Sequence, residues 1–192
     1  MKIVDPSAEI IDFVDPAEIL LKLEMCGRVS HQSEFTHSVE GAEKFVRRLI
    51  ERGHESVLEH VSLTFHIVCD RAIMAELTRH RHASFTVEST RYVAYQELTV
   101  IGTYVETDVY KLIEDRYRER VLNGVPPEIA RNILPLRLAT KLFMTANLRE
   151  WRHILKLRTD KAAHPQMRFI MKQILDVFRD KLPVIVEDIK GD

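Results

Sequence analysis

Seven prolines punctuate this chain, and most of them stand where a helix can begin. Proline holds φ near −65° and lacks an N–H, so within regular structure it fits the first turn of a helix best. Pro16 opens a helix over residues 16–25. Pro126 and Pro127 start a further turn that runs to about Leu134. Pro135 falls in the first turn of a stretch over 136–159 that reads as mostly helical. Pro165 starts a last helix, which stops near Pro183 and carries Met167, Ile170, Met171, Ile174, Leu175 and Phe178 as its core face. Residues 39–52 read as a helix ending at Gly53, and 105–123 as a charged amphipathic helix. Residues 71–81 look helical, with Ile73, Leu77 and His80 on one face at i, i+4 and i+7. Lys2–Val4 and Ile10–Val14 look extended. Residues 61–69, VSLTFHIVC, alternate and are β-branched or aromatic, which predicts a strand. Residues 84–100 return to β-type composition. Strands and helices do not alternate strictly, so the class is α+β rather than doubly wound.

At 192 residues the chain fits one domain, spanning 1–192. Lys plus Arg is 28 against 29 Asp plus Glu, a net charge of −1, and aromatics are 7%. That balance argues against a generally basic nucleic-acid binder, though not against a local basic pocket. No apolar run reaches the roughly 18–20 residues that span a bilayer. The N-terminal stretch carries acids and prolines where a signal peptide needs basic and apolar blocks. Only Cys26 and Cys69 occur, so a reduced, cytoplasmic compartment is expected.

The informative segment is RHRHASFTVESTRY, residues 79–92. It holds Arg79, Arg81 and Arg91, with His80, His82, Ser84, Ser89 and Tyr92, just after Glu76. Guanidinium groups grip phosphate in a fork and stay charged at any working pH. Hydroxyls and loop N–H groups can complete a phosphate cradle. The same composition also suits a solvated, salt-bridged helix end. Later come Arg131, the triplet Asn147-Leu148-Arg149, His153 and Arg158. Upstream, GHESVLEH at 53–60 offers His54, Ser56, Glu59 and His60, but its two histidines lack the i, i+4 spacing of a zincin helix. No metal is expected, because no cysteine or aspartate completes a ligand set.

RHR at 79–81, seven residues, then Ser89 resembles the RHR-x7-S signature of flavin-dependent thymidylate synthases. SFTVESTRY, GHESVLEH, ARNILP at 130–135, NLR at 147–149 and LKLR at 155–158 extend the likeness, in the family's order, over about residues 20–180. The resemblance implies a small α+β domain with a twisted, mainly antiparallel sheet and surrounding helices. It implies synthesis of thymidylate (dTMP) from deoxyuridylate (dUMP). Methylenetetrahydrofolate would give the carbon, and FAD reduced by NADPH the hydride. It also implies a homotetramer with sites built from several subunits.

Residue by residue, the resemblance puts His54, Ser56, Arg79, His80, Arg81, Asn147, Leu148, Arg149 and His153 at the flavin. Glu76, Arg79, Val87, Glu88, Ser89, Thr90, Arg91, Arg131 and Arg158 fall at the nucleotide. Arg158, as the group favouring ionisation at N3 of the uracil, and Ser89, in substrate binding and activation, carry the chemistry. Glu76 stands where many members have glutamine, so its charge must pair with an arginine or avoid the phosphate. Val87 can offer only its backbone. Neither Cys26 nor Cys69 carries a cysteine-enzyme signature, so no nucleophilic thiol is expected.

Overall fold

The computed structural model describes residues 1–102 and 105–191. Six strands form: β1 (Lys2–Val4), β2 (Ser7–Ile10), β3 (Ser62–Asp70), β4 (Ala83–Val87), β5 (Thr99–Ile101) and β6 (Ala139–Asn147). The helices are α1 (Pro16–Arg28), α2 (Val39–Glu51), α3 (Arg71–Leu77), α4 (Thr107–Leu122), α5 (Pro127–Ala130), α6 (Leu148–Arg158), α7 (Pro165–Lys181) and α8 (Pro183–Val186). Four strands make an antiparallel sheet in the order β2-β3-β6-β4, while β1 and β5 pair in parallel beside it. The α+β class follows, and no helix among the described residues is long and apolar enough to cross a membrane.

The alternation read over 61–69 is β3. Leu63, Phe65, Ile67 and Cys69 are buried, and the residues between them face the more open side of the sheet. α7 buries all six residues assigned to its core face. The main departure is residues 136–159. Their first part is not helical: β6 pairs with β3 along its whole length and with β4 on its other edge. Thr140, Leu142, Met144 and Ala146 are buried with a period of two. The segment is rich in Ala, Lys, Leu and Met, which favour helix, but ladder pairing and burial outweigh so weak a preference. The extended N-terminal stretch also differs. β2 is Ser7–Ile10, and residues 11–14 lie outside any strand. The β-type composition of 84–100 yields only β4 and β5, with a loop between. α3 ends at Leu77, yet Ile73, Leu77 and His80 are all buried, so their common face persists through the following turn.

The large core lies between the sheet and α1, α2, α6 and α7. Its centre is aromatic: Phe65 and Trp151 meet edge to face at 5.0 Å, and Phe65 stacks on Phe178 at 6.1 Å. The Trp151 indole N–H donates to the Leu63 carbonyl at 3.0 Å, which fixes α6 on β3. A smaller core of Leu98, Tyr117, Ala130 and Leu138 holds α4 and α5. Asp70 caps α3 by accepting from the Ile73 N–H at 2.8 Å, and also accepts from the Gln166 amide at 2.7 Å. The start of α7 is thereby tied to the junction that leads into the arginine-rich turn.

Candidate functional site

Arg79, His80 and Arg81 follow α3 in a tight turn, in which the His80 N–H donates to the Leu77 carbonyl at 3.0 Å. Arg79 and Arg81 point outward and are exposed, whereas His80 is buried. Across from them runs α6. Asn147 is its N-cap, accepting from the Glu150 N–H at 2.8 Å. Because Trp151, Ile154 and Leu155 bury one side of α6, the other side presents Arg149 and His153, while Arg158, in line with Trp151 and Ile154, emerges where that buried stripe ends at the last turn. Leu148 is fully buried, so only its backbone can meet a ligand.

These elements enclose a cavity of about 610 Å³ lined by Glu55, Glu59, His82, Asn147, Arg149, Glu150 and His153, a volume typical of small-molecule sites. Arg149 donates to Glu59 at 2.5 Å. At the far end of α6, the Arg158 Nε–H donates to His80 Nε2 at 3.0 Å, and its Nη1 lies 3.4 Å from Glu76 Oε2. The charge of Glu76 is thus paired with an arginine. The rings of His80 and His153 sit edge to face at 6.3 Å, and His80 Nδ1 lies 3.8 Å from Glu150 Oε1. Burial, with Arg158 and His153 nearby, pushes the His80 imidazole down from 6.5 to about 4. The ring is therefore neutral near pH 7. His54 and Ser56 are exposed on the 3₁₀ turn leading to β3, beside Glu55, which Arg152 holds at 3.0 Å.

A second polar group forms past the other end of β4. The Arg91 N–H bonds to Ser89 Oγ at 3.2 Å, and its Nε–H donates to Glu128 at 3.0 Å. Arg131 donates to the buried Thr90 hydroxyl at 3.3 Å. Glu88 is turned to the Tyr95 hydroxyl, 2.7 Å away, and Val87 packs against the core. β4 advances about 3.3 Å per residue, so its two ends, which the arginine turn precedes and Ser89 follows, stand roughly 13 Å apart. Arg158, Glu76 and His80 thus form one cluster, which His153 joins to the cavity and to Arg149 at the start of α6, while Ser89, Thr90, Arg91 and Arg131 form another.

Cys69 is buried, and burial together with Asp70 pushes its thiol up to about 12, which suits no nucleophile. Glu150, Glu128 and Glu55 are site partners that sequence reasoning did not single out. Only Glu150 had a signal, its i, i+3 spacing to His153 on one helix.

The sequence profile of the thymidylate synthase complementing protein family matches residues 11–184. The chain belongs to that family. Within it, the chain is 34% identical over 180 residues to the flavin-dependent thymidylate synthase of Pyrococcus furiosus, covering 84% of this chain and 73% of the relative. It is 29% identical over 198 residues to the flavin-dependent thymidylate synthase of Thermotoga neapolitana, covering 95% and 91%. Its fold matches that of a UMP/dUMP methylase, PolB from Streptomyces cacaoi, solved with 5-Br dUMP, at a TM-score of 0.83 and 23% identity over 97% of this chain and 96% of that one. The thymidylate synthase complementing protein fold therefore extends over nearly all of this chain.

Proposed function

We infer that this protein is a flavin-dependent thymidylate synthase that methylates dUMP to dTMP. The observation that carries the reading is Arg158, held by His80 and Glu76 next to a cavity whose lining includes Asn147, Arg149 and His153. The donor set fits a flavin dinucleotide. Arg79, Arg81 and Arg149 offer forks for its phosphates, and His54, Ser56 and His153 offer smaller polar groups. The Asn147 carbonyl is spent on its cap, which leaves the amide N–H groups for a ligand. Reduced by NADPH, bound FAD supplies the hydride, and methylenetetrahydrofolate supplies the carbon.

The chain's own residues bind and orient. Arg91 and Ser89 neutralise and align the dUMP phosphate, with Thr90 and Arg131 beside them. Arg158 faces the uracil edge and stabilises negative charge as it develops on the ring. What supports the shared sites expected of a homotetramer is that the flavin turn and the phosphate group stand beyond the opposite ends of β4, an arrangement that lets one copy serve two sites. The reaction calls for no metal, and the reading places it in the cytoplasm, within a single domain.

An anaerobic absorbance titration tests the reading. The expected protein is yellow, is bleached by NADPH, and is reoxidised by methylenetetrahydrofolate only when dUMP is present. A colourless protein that takes up no added FAD would remove the reading.

A further inference from the structure

We propose that His80 is a positioning residue for Arg158, acting as a neutral acceptor that aims the guanidinium at the substrate without adding to the negative charge that Glu76 already places beside it. The inference rests on the functional reading above. It takes the place of the flavin contact that the resemblance implies for His80, whose buried ring gives its Nε2 to Arg158.

Arg158 ends α6, and a free arginine side chain has about 2 kcal/mol of rotamer entropy to lose before it can act from one position. Two groups from the α3 side restrain it. His80 takes Nε–H at 3.0 Å, and Glu76 lies 3.4 Å from Nη1. The His80 ring is itself well held. It is 6% exposed and shares the buried face of Ile73 and Leu77. Arginine can only donate, so Nε2 must carry the lone pair, and the ring proton sits on Nδ1. Nδ1 faces the Glu150 carboxylate at 3.8 Å, the sign of charge that favours a proton there.

Glu76 already offsets part of the Arg158 charge from 3.4 Å, and a second carboxylate in the place of His80 would hold the guanidinium as firmly but cancel more of it. The imidazole holds it with a dipole instead. Nη2 and the second proton of Nη1 remain for the ligand. The same tautomer argues against a cation at this spot. His80, Glu150 and His153 come close enough together to ligate one. Binding through Nδ1 would move the ring proton to Nε2, against the Arg158 donor.

The test is a double-mutant cycle on the FAD-loaded enzyme, with kcat, the KM for dUMP and the flavin Kd measured for each variant. His80→Leu removes the acceptor at similar volume, and His80→Gln restores one near the Nε2 position. Expected is a kcat loss of about ten- to a hundredfold in H80L, the scale of a misplaced catalytic group. Flavin Kd should stay within about threefold, most of kcat should return in H80Q, and H80L should cost under about twofold in an Arg158→Ala background. An equal loss in both backgrounds, a loss that follows flavin release, or an H80Q as poor as H80L overturns the proposal. If H80L does not fold, His80→Asn takes its place, because its shorter amide stops short of Arg158. A wild type that forms no thymidylate overturns the functional reading as well. An additive cycle in an active wild type overturns the positioning role alone.

Discussion

A buried histidine beside an arginine is a statement about pH as well as about geometry. His80 titrates near 4 in the fold because burial and the charges of Arg158 and His153 disfavour its protonated form, and at its ordinary 6.5 when unfolded. A depressed folded value means that the unfolded chain binds the extra proton first. The stability His80 contributes is complete above about pH 6.5 and is lost as pH falls toward 4. At about 1.4 kcal/mol per unit, roughly 2–3 kcal/mol of that contribution is lost by pH 4.5. Urea melts of wild type and His80→Gln at pH 7 and pH 4.5 measure it. The wild type is expected to lose that much more on acidification, and parallel losses in the two proteins would show that His80 is not the titrating group.

At the scale of elements, α6 is where fold and site meet. Its buried side is Trp151, Ile154 and Leu155, its open side is Arg149 and His153, and Arg158 ends the helix. The indole does two jobs, packing against Phe65 and Phe178 and donating to the Leu63 carbonyl. Trp151→Ala is expected to cost about 3–5 kcal/mol by opening a core cavity. Because the helix loses its anchor on β3, the variant should also weaken FAD binding while still folded. Denaturant unfolding and flavin titration on the same preparation check both. A destabilised variant with wild-type flavin affinity would mean that other contacts of α6 suffice to place its open side.

For the whole molecule, the decisive feature is that the arginine turn and the Ser89 group lie at opposite ends of β4. If a site takes Arg158 from one subunit and Arg91 from another, two dead variants can rescue each other. Arg158→Ala and Arg91→Ala, refolded together in equal amounts, are expected to recover about a quarter of wild-type activity, the share of sites drawing an intact residue from each. Activity no higher than that of the separate variants would put both arginines of a site on one chain.

Much of this protein was legible from sequence because local rules were enough. The periodicity of α7, the alternation of β3 and the prolines at helix starts are set by near neighbours and needed no tertiary context. So was the arginine signature, whose residues are close in the chain. The rest was decided by contacts between distant segments. β6 carries helix-favouring residues, and only pairing with β3, some eighty residues earlier, makes it a strand. The carboxylates that hold the arginines, Glu76 on Arg158, Glu59 on Arg149 and Glu128 on Arg91, come from other elements. Local sequence supplied the functional groups. Their pairing, and the neutral state of His80, depend on burial and on distances that exist only once the chain has folded.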